Sequence, residues 1–176
     1  YVFTGEWRKY RLINVILMLK QTFIKTNLRA YTFEVKKIKE WVEDRCKDGK
    51  VLNLFSGKTK LNINEFRVDI DKKEAIADVY MDVYDFVKNC EDRYDTIILD
   101  PPYSIRKSME YYKGNYTSKF KLIADECARL SDRVISFGYH STFLGEKRGY
   151  QLEELCVFGH SGSQHCTIAI IEKNKL

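Results

Sequence analysis

Tyr94-Asp-Thr-Ile-Ile-Leu-Asp-Pro-Pro-Tyr-Ser104 is the stretch on which the reading of the fold turns. A β-branched apolar run ends in a carboxylate, Asp100. Pro101 and Pro102 then lock the chain as it leaves the strand, and the ring of Tyr103 follows. These are the only two prolines in 176 residues, so a chain that otherwise avoids proline uses it twice here. Proline fixes φ and holds its predecessor extended, which suits a rigid turn at a strand end. Such a turn is built to hold one flat, hydrogen-bonding object. Taken alone, it reads equally well as an ordinary turn after a buried strand.

Working upstream, Ile76 to Asp82 predicts a brief strand, and Asp82 is placed to cap a helix over Val83 to Cys90. Phe66-Arg-Val-Asp-Ile-Asp71 predicts another strand, with Asp69 and Asp71 at or near its carboxyl end. Val51-Leu-Asn-Leu-Phe55 is a short continuous apolar run of the kind found in central parallel strands. It ends in Ser56-Gly57-Lys58, where a glycine lets backbone approach a ligand closely. Before it, Val35, Ile38, Val42 and Cys46 mark one face of a helix, with Thr32 as its N-cap and Asp48-Gly49 as its stop. Leu12, Ile16, Leu19 and Phe23 are also compatible with a helix within residues 10–30. Apolar residues on the other side leave a strand possible there, and the helix is the expectation.

Working downstream, Ser104 to Ser118 reads as a polar, tyrosine-rich surface loop. A helix is expected from Ser118 through Leu130 and a strand from Arg133 to Phe137. Gln151 to Phe158 and Cys166 to Ile171 predict two strands joined by a short turn, an antiparallel hairpin appended to a parallel sheet.

The composition is that of one globular unit, 44% hydrophobic and 31% charged. Five cysteines without Cys-x-x-Cys spacing argue against a disulfide framework or a zinc knuckle, and predict a reduced, cytoplasmic protein. The longest apolar run, Leu12 to Leu19, is too short to span a membrane. The net charge of +5 is confined to residues 1–33, where six basic groups face Glu6 alone; the remaining 24 basic and 24 acidic residues balance. That segment, interleaved with Trp7, Tyr10, Phe23 and Tyr31, is expected to be a basic extension able to contact phosphates, or else a solvated face around a packed helix.

The order of these features resembles the class I S-adenosylmethionine-dependent methyltransferases, in the branch that methylates exocyclic amines of nucleic-acid bases. A glycine turn follows the first core strand, acidic residues the second, an aspartate the third and Asp-Pro-Pro-Tyr the fourth. The resemblance covers roughly residues 32–172. It implies an α/β, Rossmann-like methyltransferase fold: a seven-stranded, mostly parallel sheet with an antiparallel last strand, in a domain spanning 34–176. It also implies S-adenosylmethionine as cofactor, a nucleic-acid partner, DNA before RNA, and transfer to N6 of adenine without a metal.

Carried over by position, Asn53, Phe55, Ser56, Gly57 and Lys58 would serve the cofactor, Asp69 with its competitor Asp71 the ribose, and Asp82 the adenine amine. Asp100, Pro101, Pro102 and Tyr103 would serve the target base. Phe137, Tyr139 and His140, at the end of the fifth predicted strand, are placed to line the other wall, although for His140 an ordinary strand-end role is the expectation. The pattern departs from the family in two ways. Gly57 is followed by Lys58-Thr59 rather than a second glycine, so Lys58 is placed to reach the methionine carboxylate instead. Ten residues, Ser56 to Glu65, are also too few for the usual helical crossover, which predicts a shortened one. Structured RNA, a guanine or cytosine amine, or a non-catalytic nucleic-acid-binding role are the competing expectations.

Overall fold

The computed structural model describes residues 19–102, 119–138, 143–162 and 165–175. Its strands are β1 (Lys20–Asn27), β2 (Val51–Leu54), β3 (Glu65–Asp69), β4 (Val79–Tyr80), β5 (Thr96–Leu99), β6 (Arg133–Gly138), β7 (Tyr150–Ser161) and β8 (Cys166–Asn174). They form one sheet in the order β1-β7-β8-β6-β5-β2-β3-β4. β8 runs antiparallel to β6 and β7, and every other pairing is parallel. The sheet is the mixed, Rossmann-like methyltransferase arrangement that the order of motifs implies.

Burial explains the central strands. All four residues of β2 and all four of β5 are buried, as expected of apolar runs covered on both faces. On one face, α1 (Lys36–Arg45) lays Ile38, Trp41 and Val42 against β6, β7 and β8. The Trp41 ring meets Phe158 edge-on at 5.8 Å between centroids, and Phe33 meets Phe137 at 5.4 Å. On the other face, α2 (Val83–Asn89) and α3 (Phe120–Leu130) cover Leu52, Leu54, Ile97 and Leu99. Among the described residues, no helix is long and apolar enough to cross a membrane.

Several expectations need correction. Residues 20–27 are an edge strand rather than part of a helix, and they add an eighth strand to the seven expected; residues 10–18 lie outside the described ones. β1 escapes the helical reading because it is half-covered: Ile24 packs toward α1, while Phe23, its neighbour in sequence, faces out. Thr32 is not a helix cap, because Thr32–Glu34 form a separate 3-10 turn and α1 starts from Val35 without a side-chain cap. The strand expected over 76–82 shrinks to Val79–Tyr80. The shortened crossover is present: residues 55–64 link parallel β2 and β3 with no helix.

Candidate active site

β2 and β5 are hydrogen-bonded neighbours with Leu54 opposite Leu99, so Phe55 and Asp100 leave the sheet side by side at its carboxyl end. Phe55 turns the chain at once, with a left-handed φ of 59° that side chains other than glycine seldom adopt. Strain of this kind costs on the order of 1–3 kcal/mol and concentrates at ligand sites. Gly57 repeats the left-handed turn at φ 57°, and a Cβ added there would meet nothing within 4 Å. Beside this turn lies a small cleft, open to solvent. Phe55 to Thr59 form one wall, Tyr31 to Phe33 another, and Asp100 contributes a third side.

With no crossover helix to back it, the 55–59 wall is held by a buried guanidinium. Glu65, Arg67 and Asp69 share one face of β3, while Phe66 and Val68 face the core layer under α2 and α3. Arg67, 2% exposed, donates through Nε to the Ile76 carbonyl at 2.6 Å and through Nη2 to the Ser56 and Gly57 carbonyls at 3.0 and 2.9 Å. Its Nη1 donates to the Thr59 carbonyl at 2.9 Å and to Glu65 Oε1 at 2.7 Å. Glu65 in turn accepts from Leu61 N at 2.9 Å and from Asn53 Nδ2 at 2.7 Å. A charge this deep is tolerable only when fully paired, and each partner of Arg67 is a carbonyl or carboxylate oxygen. Leu61 and Ile63 pin the far end of the loop into the core beneath α1.

The cleft brings together Phe55, Ser56, Gly57, Lys58 and Asp100. Asp69 stands directly behind them: its Oδ2 accepts from Gly57 N at 2.8 Å and its Oδ1 from Asp71 N at 2.9 Å. Asp71 is engaged in its own turn, accepting from Lys73 N at 2.9 Å. Asp82 is the N-cap of α2, accepting from Tyr84 N at 3.0 Å, and Lys119 lies 3.6 Å from it. Asn53 is fully buried, does not line the cleft, and leaves Oδ1 without a partner among the described residues. Pro102 is buried and Pro101 half-buried, consistent with a rigid exit from β5. Phe137 is a core residue behind Phe33 rather than a cleft wall. Tyr103, Tyr139 and His140 lie outside the described residues.

Lys58 turns toward the opposite wall. Its Nζ lies 2.8 Å from Glu34 Oε1 and 4.1 Å from the centre of the Tyr31 ring. The hydrogen bond to Glu34 raises its pKa above the ordinary lysine value. Sequence reasoning missed Arg67 and Glu65, and it missed Tyr31 to Phe33 as a wall. The signal for the first pair was the charge alternation Glu65-Phe-Arg-Val-Asp69, which puts three ionisable groups on one side of a strand bordered by buried neighbours.

No family model matches the chain, and no curated protein matches it in sequence. Solved structures do match in fold. TrmN from Thermus thermophilus aligns with a TM-score of 0.54 at 14% identity, over 80% of this chain and 49% of its own. A SAM-dependent methyltransferase from Agrobacterium tumefaciens aligns with a TM-score of 0.52 at 16% identity, over 78% and 61%. PH1948 from Pyrococcus horikoshii, a candidate RNA methyltransferase, gives 0.55 at 12% identity over 96% and 98%. The chain thus spans about half the length of TrmN and three fifths of the Agrobacterium protein.

Proposed function

We propose that this chain is an S-adenosylmethionine-dependent methyltransferase that modifies the exocyclic N6 amine of adenine in DNA. The observation that carries the reading is the cleft in which a strained turn after β2 faces the Asp100 strand end of the neighbouring β5. Open space over Gly57 leaves the backbone accessible to a ligand, so the residues present fit the cofactor. Phe55, Ser56, Gly57 and Lys58 would hold it, with Asp69 and Asp71 toward the ribose, Asp82 toward the adenine amine, and Asn53 supporting the turn from behind. S-adenosylmethionine supplies, when bound, an electrophilic methyl on a sulfonium leaving group.

The chain's own residues prepare the acceptor. An adenine amine is a poor nucleophile because its lone pair is delocalised into the ring. Hydrogen bonds donated by the amine to the Asp100 carboxylate and the Pro101 carbonyl favour a pyramidal nitrogen, with its lone pair directed out of the ring plane. This is positioning and preorganised electrostatics. Pro101 and Pro102 keep those acceptors fixed, and Asp100 or water takes the proton the amine releases. Tyr103 stacks on the extruded base, a contact worth about 1–3 kcal/mol.

RNA is the second reading, favoured by the near-complete overlap with PH1948. Transfer of labelled methyl to matched DNA and RNA pools, followed by identification of the modified nucleoside, tests both. N6-methyladenine in DNA is expected, and Asp100→Ala should lower its formation by on the order of 10²–10³, with cofactor affinity held within a few-fold. Undiminished transfer by that variant would remove Asp100 from the chemistry.

A further inference from the structure

We propose that the edge of β1, which no other described strand pairs, carrying Lys25 and Phe23 and flanked by Arg29 and Lys37, is the surface along which a single nucleic-acid strand runs into the cleft. The inference rests on the reading of that cleft as a site for a nucleic-acid base, and it assigns the strand's phosphodiesters to a definite part of the fold.

Six basic residues lie between positions 19 and 39. Lys20, Lys36 and Lys39 have carboxylate partners in Glu154, Glu40 and Glu43, at 3.3, 3.7 and 3.7 Å. Lys25, Arg29 and Lys37 are exposed and have no ion-pair partner among the described residues. Lys37 reaches from α1 to donate to the main-chain oxygen of Lys25 at 2.8 Å, which brings a second cation onto the strand edge. Cations on one part of a surface without ion-pair partners of their own attract a polyanion.

The apolar part of the surface is Phe23, 70% exposed. Its ring lies against Gly159 of β7, where an added Cβ would come within 2.7 Å of Phe23 Cζ. Glycine at 159 therefore lets the ring settle onto the sheet with its outer side open. Lys25 follows Phe23 by two residues, on the same face of β1, and an aromatic ring with cations on one surface is the combination that binds single strands irrespective of sequence, bases stacking while phosphates pair. Lysines alone would also guard an open strand edge against pairing with another chain, but that task does not call for an exposed ring. Continuity with the cleft is covalent: Arg29 precedes the cleft residue Tyr31 by two positions, at most about 7 Å of extended chain.

The test measures binding of short labelled single-stranded DNA and RNA of matched sequence across a salt series, using the full chain without cofactor, with anionic phospholipid vesicles as a third arm. The triple substitution Lys25→Gln/Arg29→Gln/Lys37→Gln should weaken oligonucleotide binding at least about tenfold near 0.1 M salt. It should also flatten the log–log salt dependence by about 2, three contacts at roughly 0.7 each. Phe23→Leu should weaken binding several-fold and leave the slope unchanged. The thermal midpoint of each variant is expected to match the parent, which separates lost binding from lost folding. A loss on either oligonucleotide supports the proposal. Unchanged affinity and slope overturn it, as does a loss confined to vesicles, or variants that self-associate while binding as before. Because no methyl transfer is read, failure of the enzymatic assignment and failure of this surface are separate results.

Discussion

Arg67 shows what a single residue takes on when an element is missing. A crossover helix would shield the backbone of residues 55–64 and pack apolar side chains onto β3. Here a guanidinium supplies three N–H donors to that backbone, one to the Ile76 carbonyl and one to Glu65. Arg67→Met keeps the volume but leaves Glu65 charged and the Ser56, Gly57, Thr59 and Ile76 carbonyls without this donor. Breaking a buried pair from one side costs about 3–5 kcal/mol, and that loss is expected in urea unfolding of the variant. A cost under about 1 kcal/mol would mean that water satisfies the loop and the guanidinium only fills space. Asp69 is the second member of this arrangement, bonded to Gly57 N from the same face of β3. Its position at a strand end was readable from sequence, whereas the inward aim of Arg67 was not: the ten-residue link foretells a shortened crossover but not which side chain takes its place.

At the scale of elements, β1 and α1 are tied to the sheet through Glu154 on β7. Its carboxylate accepts from Arg45 Nε at 3.0 Å and Nη2 at 2.5 Å, and Lys20 lies 3.3 Å away. Arg45 also sits over the Trp41 ring, 4.1 Å from its centre. Burial by itself would raise the Glu154 pKa, but the hydrogen bonds and charge of Arg45, joined by Lys20, outweigh it and hold the carboxyl below its usual 4.5. The folded state therefore binds this proton less readily than the unfolded chain. The stabilisation is fully present above the ordinary carboxylate range and is lost as pH falls through the lowered value. Acid titration is expected to destabilise the parent in the window below about pH 4.5. In Glu154→Gln that part of the pH dependence should vanish, and the chain should be less stable by about 3 kcal/mol at neutral pH. Parallel acid profiles for the two proteins would show that the tie contributes nothing. The buried tyrosine and cysteine groups of β7 and the cysteine that ends α1 do not compete in this window. Burial pushes Tyr150 up to about 12 and Cys46 and Cys156 up to about 11, so they stay neutral throughout.

Across the whole molecule, what could be read from sequence follows from how local each signal is. β2 and β5 announce themselves as short, mostly apolar runs because both of their faces are covered. Asp100, Gly57 and Asp69 could be placed because each stands at, or just past, the carboxyl end of a strand with its own local signal. The pairing of β1 with β7 joins residues more than a hundred positions apart, and nothing in residues 20–27 records it. The Tyr31 to Phe33 wall is likewise visible only once β1 and α1 are in place. The order of strands makes a further claim about stability. β2, β5 and β6 are paired on both sides and almost wholly buried, whereas among the described residues β1 pairs only with β7 and β4 has only two paired residues. Amides that open only with the whole domain should therefore lie in the central three strands, while those of β1 and β4 open locally. Hydrogen exchange followed by mass spectrometry should rank protection from β5 outward, with residues 20–27 and 79–80 exchanging first. Slow exchange in β1, equal to that of β5, would mean that its outer edge is covered in solution, and a surface left open for a nucleic-acid strand could not then lie there.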